Sequence, residues 1–282
     1  MSEVPGDKLH KVLADQGLGS RREIERWIAA GRVQVDGEPA HVGQRVTGES
    51  VIALDGKPLR KALSVYTRVL VMNKAVGTIC TRRDPEGRPT VFDDLPKLRT
   101  GRWIAVGRLD VQTSGLLLLT NEGELANRLM HPSTMLDREY AVRVDGRLSD
   151  EEIQALMAGV EIDGEMCRFS DLQHFNGSGR NHWYHAVLME GRNHEVRNLF
   201  ASIGRTVSRL KRVRYGPAVL PSYLRVGRVA EMVDEEVATV CRLVGVRHHK
   251  APQRGKPQKP KRKESLLLPY PELEARTGRA AQ

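Results

Sequence analysis

Apolar positions recur along this chain with two different periods. Leu9, Val12 and Leu13, and then Ile24, Trp27 and Ile28, keep the three-to-four spacing of helices that bury one face. Ser20 stands ahead of the second run as an N-cap, and Glu23 three residues on completes a capping-box spacing, so the start of that helix is well specified. After Gly31 the period falls to two. Val33 and Val35 alternate up to an Asp36-Gly37 turn, and Val42, Val46 and Val51 to Leu54 follow it. Two helices on a small sheet are predicted for residues 7–56.

Residues 57–68 are basic and weakly periodic, and read as a linker. Beyond them short apolar strands dominate: Val69 to Met72, Trp103 to Val106, Leu116 to Leu119, Tyr140 to Val144, Trp183 to Met189 and Val207 to Val213. Helical stretches near 122–130, 149–158 and 194–203 separate them, with Ser149 and Glu152 repeating the capping-box spacing, and a last helix covers Glu235 to Val244. Strands outnumber long helices, which predicts an α+β domain over 69–246 built on a mixed or antiparallel sheet. From residue 247 the Pro, Lys, Arg and Gln content offers little to bury until the run SLLLPY, and 247–282 is expected to be mostly disordered.

Charge changes the picture by its location. The chain carries 45 Lys+Arg against 35 Asp+Glu, a net charge of +10. Eight basic residues and no acid lie between Arg247 and Lys263, which leaves 10 less 8, only +2, for the rest. Contact with an acidic partner such as nucleic acid must therefore come from local clusters. One is Arg209, Lys211, Arg212 and Arg214 in SRLKRVRYG, with Leu210 and Val213 expected to face the other way; a merely solvated strand face is the alternative. Another is Arg21 and Arg22 in the first turn of a helix, where the dipole disfavours cations by a few tenths to about 1 kcal/mol. Two guanidiniums beside free helix N–H groups would make a phosphate corner, unless they are an ordinary solvated pair.

Cys80, Cys167 and Cys241 are too dispersed for a zinc site or a disulfide framework, and no histidine has metal-site spacing. The apolar run at Leu116–Leu119 is far below the roughly 20 residues that span a bilayer. A soluble, cytoplasmic protein without metal is expected. Asp110, in GRLDVQTSGLLLLTNEG (Gly107 to Gly123), falls on a turn between two apolar strands, a placement equally suited to a site or to a turn residue bonding its own backbone.

Two stretches carry family resemblance. Residues 8–56, and GSRREIERWIAAGRVQVDG in particular, resemble the S4 RNA-binding domain, which implies RNA contact by Arg21 and Arg22. GRLDVQTSGLLLLTNEG closely resembles the catalytic loop of the pseudouridine synthases, and the resemblance makes Asp110 the catalytic carboxylate. EGRNHEVRNLFASIG (Glu190 to Gly204) is similar to the family's third motif. It implies that Arg197 pairs with Asp110 and lowers its pKa, and that Val196, with Leu109, walls the pocket. Tyr140 in REYAV matches the Tyr that stacks on the target uracil and moves the C5 proton, and Arg108 matches the residue that enters the space left by the extruded base. By composition alone Arg197 and Arg108 are surface arginines and Tyr140 a core residue.

Further matches cover NKAVG (Asn73 to Gly77), where Ala75 replaces the usual Pro, DPEGRPTVFDDLP and ELANRLMHPS. The order of motifs is that of the RsuA-type branch, which acts on ribosomal RNA. That branch implies isomerisation of one uridine, in 23S rRNA first, by a monomer acting on naked or partly assembled RNA, with no organic cofactor and no membrane. Small-subunit 16S rRNA, or a noncatalytic ribosome-assembly role, are the alternatives.

Overall fold

A computed structural model describes residues 6–59, 66–250 and 264–270. The N-terminal unit contains β1 (Asp7–Lys8), α1 (Leu9–Asp15), α2 (Arg21–Ala29), β2 (Val33–Val35), β3 (Glu38–Pro39), β4 (Arg45–Val46), β5 (Ile52–Leu54) and β6 (Lys57–Pro58). The Ser20 capping box forms: Ser20 Oγ accepts from the Glu23 amide at 3.2 Å and Glu23 Oε2 from the Ser20 amide at 3.3 Å. The predicted apolar faces of both helices meet the sheet, where Leu9, Leu13, Ile24, Ile28, Val33 and Val35 are buried.

The unit is larger than the predicted 7–56. Lys57–Pro58 pairs with β5 and the Leu59 amide donates to Ile52 O at 2.8 Å, because the Asp55-Gly56 turn closes a second hairpin. Tyr66 to Arg68 are likewise claimed by the next domain: Asn121 holds the Tyr66 carbonyl and the Arg68 amide. What remains of the expected linker, 60–65, lies outside the described residues.

The second unit runs β7 (Val69–Lys74), β8 (Ile104–Val106), β9 (Ser114–Thr120), α3 (Gly123–Met130), β10 (Arg138–Asp145), α4 (Asp150–Ala158), β11 (Val160–Ile162), β12 (Glu165–Cys167), β13 (Asp171–Ser178), β14 (Asn181–Leu188), α5 (Glu195–Ser202), β15 (Val207–Tyr215), β16 (Ala218–Val219), β17 (Val229–Glu231) and α6 (Asp234–Leu243). Its sheet has the order β13-β14-β10-β15-β9-β7-β17, with β16 beside β15 and β8 beside β9; only β15 and β9 run parallel. The sheet is therefore mixed, as predicted.

Two apolar layers sandwich its centre. Alternate residues of β7 and β9 point opposite ways: Leu70, Met72, Leu117 and Leu119 join Val196, Leu199 and Phe200 of α5 on one face. Val69, Val71, Leu116 and Leu118 join Leu125 of α3 and Val237 and Val240 of α6 on the other. At the β9–β15 crossing, a Cβ on Gly115 would stand 2.2 Å from the Arg212 carbonyl oxygen, and its φ of +101° lies where side chains are disfavoured. Glycine there lets the strand leaving the Asp110 loop approach β15 backbone to backbone.

Within 247–282, the described residues pack on the second domain. Leu266 is fully buried beside α6, its amide donating to Glu236 Oε1 at 2.8 Å, and Leu267 bridges Ala218. The Tyr270 hydroxyl reaches Asp137. Nearer the domain, the His249 carbonyl accepts from Thr67, and His248 Nε2 lies 3.0 Å from Asp234. The apolar SLLL run supplies the surface that the basic run before it lacks. Residues 251–263 and 271–282 lie outside the described residues.

Candidate active site

The loop between β8 and β9 carries Arg108, Leu109 and Asp110. Its shape is held from below by Lys74, the last residue of β7, which is fully buried. The ammonium donates to the carbonyls of Ala75 (3.0 Å), Asp110 (3.0 Å) and Thr113 (2.8 Å), so three N–H groups meet three acceptors. Burial pushes the Lys74 pKa down, opposed by Cys80 and Asp110 nearby. The Thr113 amide closes the turn on the Asp110 carbonyl at 3.0 Å, and Leu109 exchanges long contacts with the Cys80 thiol. The backbone of Asp110 is thereby fixed while its carboxylate is half-exposed.

That carboxylate borders a cavity of about 420 Å³. Arg108, Leu109, Tyr140, Val196 and Arg212 all line it, so five of the predicted site residues meet Asp110 there although they come from four separate parts of the chain. Tyr140 projects from β10 between Arg212 and Ala186 of the flanking strands and is nearly buried. Arg108 is exposed and donates to Asn193 Oδ1 at 3.3 Å. The Tyr215 ring, also in the lining, has two guanidiniums near it, those of Arg138 and Arg212, each 5.0 Å from the ring centroid. With Arg192 also at the wall, cations outnumber Asp110 and Glu195, so the cavity favours an anionic ligand.

Arg197 does not pair with Asp110. Its guanidinium donates to the carbonyls of Val207 (2.9 Å) and Gln112 (3.3 Å), tying α5 to the start of β15 and to the end of the Asp110 loop. The place beside the carboxylate is taken by His194, one helical turn earlier on the same face, whose Nε2 stands 3.5 Å from Asp110 Oδ1. His194 holds a left-handed backbone, φ +53°, at the N-cap of α5, a conformation costly for a non-glycine residue.

The expected basic strand face is also revised. Leu210 and Arg212 share one side by the two-residue alternation of the strand, and β15 bulges at Val213 between its pairings with Tyr140 and Glu139, which moves Arg214 to the other side, opposite Glu139. Arg212 is buried at 3 % exposure and donates to the Leu116 carbonyl at 2.8 Å. Arg214 is held by Asp137 (2.7 Å) and Glu139 (2.9 Å). Arg209 stays exposed and Lys211 half-exposed, and neither has an acidic partner among the described residues. Arg21 and Arg22 are exposed on the first turn of α2.

Sequence reasoning missed the polar lining. Among the described residues six buried side-chain nitrogen or oxygen atoms have no hydrogen-bond partner, and three of them, Thr113 Oγ1, Glu195 Oε1 and Arg212 Nη2, belong to residues that line this one cavity. Unpaired buried polar atoms cost about 1–3 kcal/mol each, so their concentration marks a surface shaped for a polar ligand. Glu195, whose other oxygen accepts from the Arg192 amide at 2.9 Å, has its pKa raised by burial. Among the described residues no group of three or more His, Cys, Asp or Glu side chains could hold a metal ion.

Comparison with known proteins fits this geometry. The RNA pseudouridylate synthase family model matches residues 68–202 and the S4 domain model residues 7–52. The chain is 56% identical over 245 residues to a Pseudomonas aeruginosa protein called ribosomal large subunit pseudouridine synthase B, covering 86% of this chain and 64% of that one. A Yersinia pestis protein of the same name is 51% identical over 253 residues, covering 84% of this chain and 80% of its own length. A crystal structure titled pseudouridylate synthase shares the fold at a TM-score of 0.57 and 24% identity, over 83% of this chain and 99% of that one.

Proposed function

The chain belongs to the RNA pseudouridylate synthase family, and on that premise we propose that it isomerises one uridine of ribosomal RNA to pseudouridine, with 23S rRNA as the target. The observation that carries this reading is the meeting of Asp110 and Tyr140 at one cationic cavity whose lining leaves polar atoms unpaired. The relatives are named for the ribosomal large subunit, which supports the choice of 23S rRNA as target.

In the reaction the N1–C1′ bond breaks, the uracil turns, and C5 bonds to C1′; a proton leaves C5 and one is gained at N1, so the product is an isomer. Asp110 supplies the negative charge at C1′, as nucleophile or as electrostatic partner of the developing cation. Tyr140 stacks on the uracil and moves the C5 proton. Arg212, Thr113 and Glu195, each with one polar atom lacking a partner, are the polar side chains of the lining proposed to meet the base's polar edge. The nucleotide must leave its helix at a cost of a few kcal/mol, and Arg108 at the rim fills the space. Arg197 acts as a positioning residue for the loop, through Gln112, rather than as an ion-pair partner. Arg21 and Arg22, with Arg209 and Lys211, contact phosphates. The protein works as a cytoplasmic monomer on free or partly assembled subunits.

Carbodiimide-directed primer extension on rRNA treated with the protein tests the target. One new stop in 23S rRNA is expected; a stop confined to 16S rRNA would reassign the substrate, and none in either would leave a noncatalytic RNA-binding role.

A further inference from the structure

The two domains touch through backbone. Gly17 and Gly101 stand so close that a Cβ on Gly17 would meet the Gly101 carbonyl oxygen at 2.6 Å, and the Gly101 amide donates to the Gln16 carbonyl at 3.3 Å. Beside this contact a cleft of about 500 Å³ opens between them. Arg26 of α2 lines it from one side and Arg82, Arg83 and Arg102 from the other, with Gly17, Gly19 and Ser20 at its base. These four arginines play no part in the cavity at Asp110.

Four cations converge on one cleft with a single acid, Glu23, and that carboxylate is engaged in the capping box of α2. By contrast Arg68, Arg88, Arg205 and Arg214 each hold a carboxylate within 3 Å. None of the four cleft arginines has an acidic partner among the described residues, and Arg102 Nε is buried without any partner. Arg26 and Arg83 are exposed, whereas Arg82 and Arg102 are held against the protein. Arg82 is pinned by a hydrogen bond to the Trp103 carbonyl and by the Phe92 ring, whose centroid lies 4.4 Å from its guanidinium. Its pKa is pushed down by burial and by Arg102 alongside. Like charges held together in this way repel until an anion joins them.

We propose that the cleft is an anion site for a backbone phosphate of the RNA substrate, a phosphodiester group bridging the two domains through Arg26, Arg82, Arg83 and Arg102. The inference rests on the reading of the protein as an RNA-modifying enzyme only for the identity of the anion. Guanidiniums suit it because they bind phosphate with two parallel hydrogen bonds, and the site carries no sequence information. Its use is geometric: a phosphate gripped here sets the S4 domain and the Asp110 cavity in one register on the RNA.

The test uses the full chain as Asp110→Asn, so that RNA binds without turnover, with Arg82→Gln and Arg102→Gln added singly and together, and Arg180→Gln, an exposed ion-paired arginine, as control. Affinity for an rRNA hairpin is measured across salt. Each cleft variant is expected to weaken binding and to reduce the slope of log K against log salt by about 1, with the control unchanged. Because the free cleft repels itself, the same variants are expected to keep or raise the melting temperature without RNA, and inorganic phosphate to stabilise the parent more than the double variant. Unchanged affinity and slope in the double variant would overturn the site, as would weaker binding that only tracks a lowered melting temperature. Tritium release from 5-tritiated uridine by the protein with Asp110 intact separates the two claims: release with an unchanged slope removes the site alone, and a reduced slope without release removes the reaction alone.

Discussion

Lys74 shows how a single charge can shape a catalytic loop. A buried ammonium is normally a cost, and its lowered pKa records that cost. Three carbonyls at 2.8–3.0 Å offset it by fixing Ala75, Asp110 and Thr113 in one arrangement. Replacing Lys74 with Met keeps the apolar volume but leaves the Ala75 and Thr113 carbonyls without this donor and the Asp110 carbonyl with the Thr113 amide alone. A loss of about 3 kcal/mol or more by denaturant unfolding is expected, with turnover lost from the protein that remains folded. Glu195 gives a pH signature. Its folded pKa is raised above the ordinary 4.5, so the folded state holds the proton more tightly than the unfolded chain. Stability is then lost as pH rises from below 4.5 through the folded value. Glu195→Gln is expected to melt higher than the parent at neutral pH, with the difference vanishing below pH 4.5; a difference independent of pH would mean that ionisation of Glu195 plays no part.

At the scale of elements, the apolar runs of β7, β9, β10, β14 and β15 and the capped starts of α2 and α4 were legible because each follows from local periodicity or from a cap. β13 was not. Its sequence, DLQHFNGS, is polar because it forms the sheet edge, paired only to β14 and buried mainly at Leu172. The bulge at Val213 was hidden for another reason: register with β10 is a tertiary matter, and it decides that Arg214 leaves the side of Leu210 and Arg212 and lies among carboxylates. The same limit applies to Arg197, whose helix was foreseen but whose reach to Val207 and Gln112 depends on how α5 sits on the sheet. In the tail the SLLL run was a visible apolar interruption, and its docking makes a separate expectation. Leu266→Ala should accelerate hydrogen exchange at the Leu266 and Leu268 amides, which donate to Glu236 and to the Pro217 carbonyl, while β7 and β9 exchange as before.

For the whole molecule, the chain brings together an S4 domain, a mixed sheet and one cationic cavity, with the arginine cleft between the first two. The +10 net charge is unevenly placed, since eight of the basic residues fall in 247–263 and the body outside that run carries only +2. Binding by that body depends on where cations gather, which is at the cleft, the cavity and the open face of β15. All of these can hold RNA without chemistry, so affinity cannot establish the reaction. Release of tritium from 5-tritiated uridine in rRNA, by the protein and by its Asp110→Asn variant, addresses it directly. Release corresponding to one uridine by the first and none by the second, with RNA affinity and melting temperature retained, is the expected result. Comparable release by Asp110→Asn would contradict the assignment of the chemistry to this carboxylate.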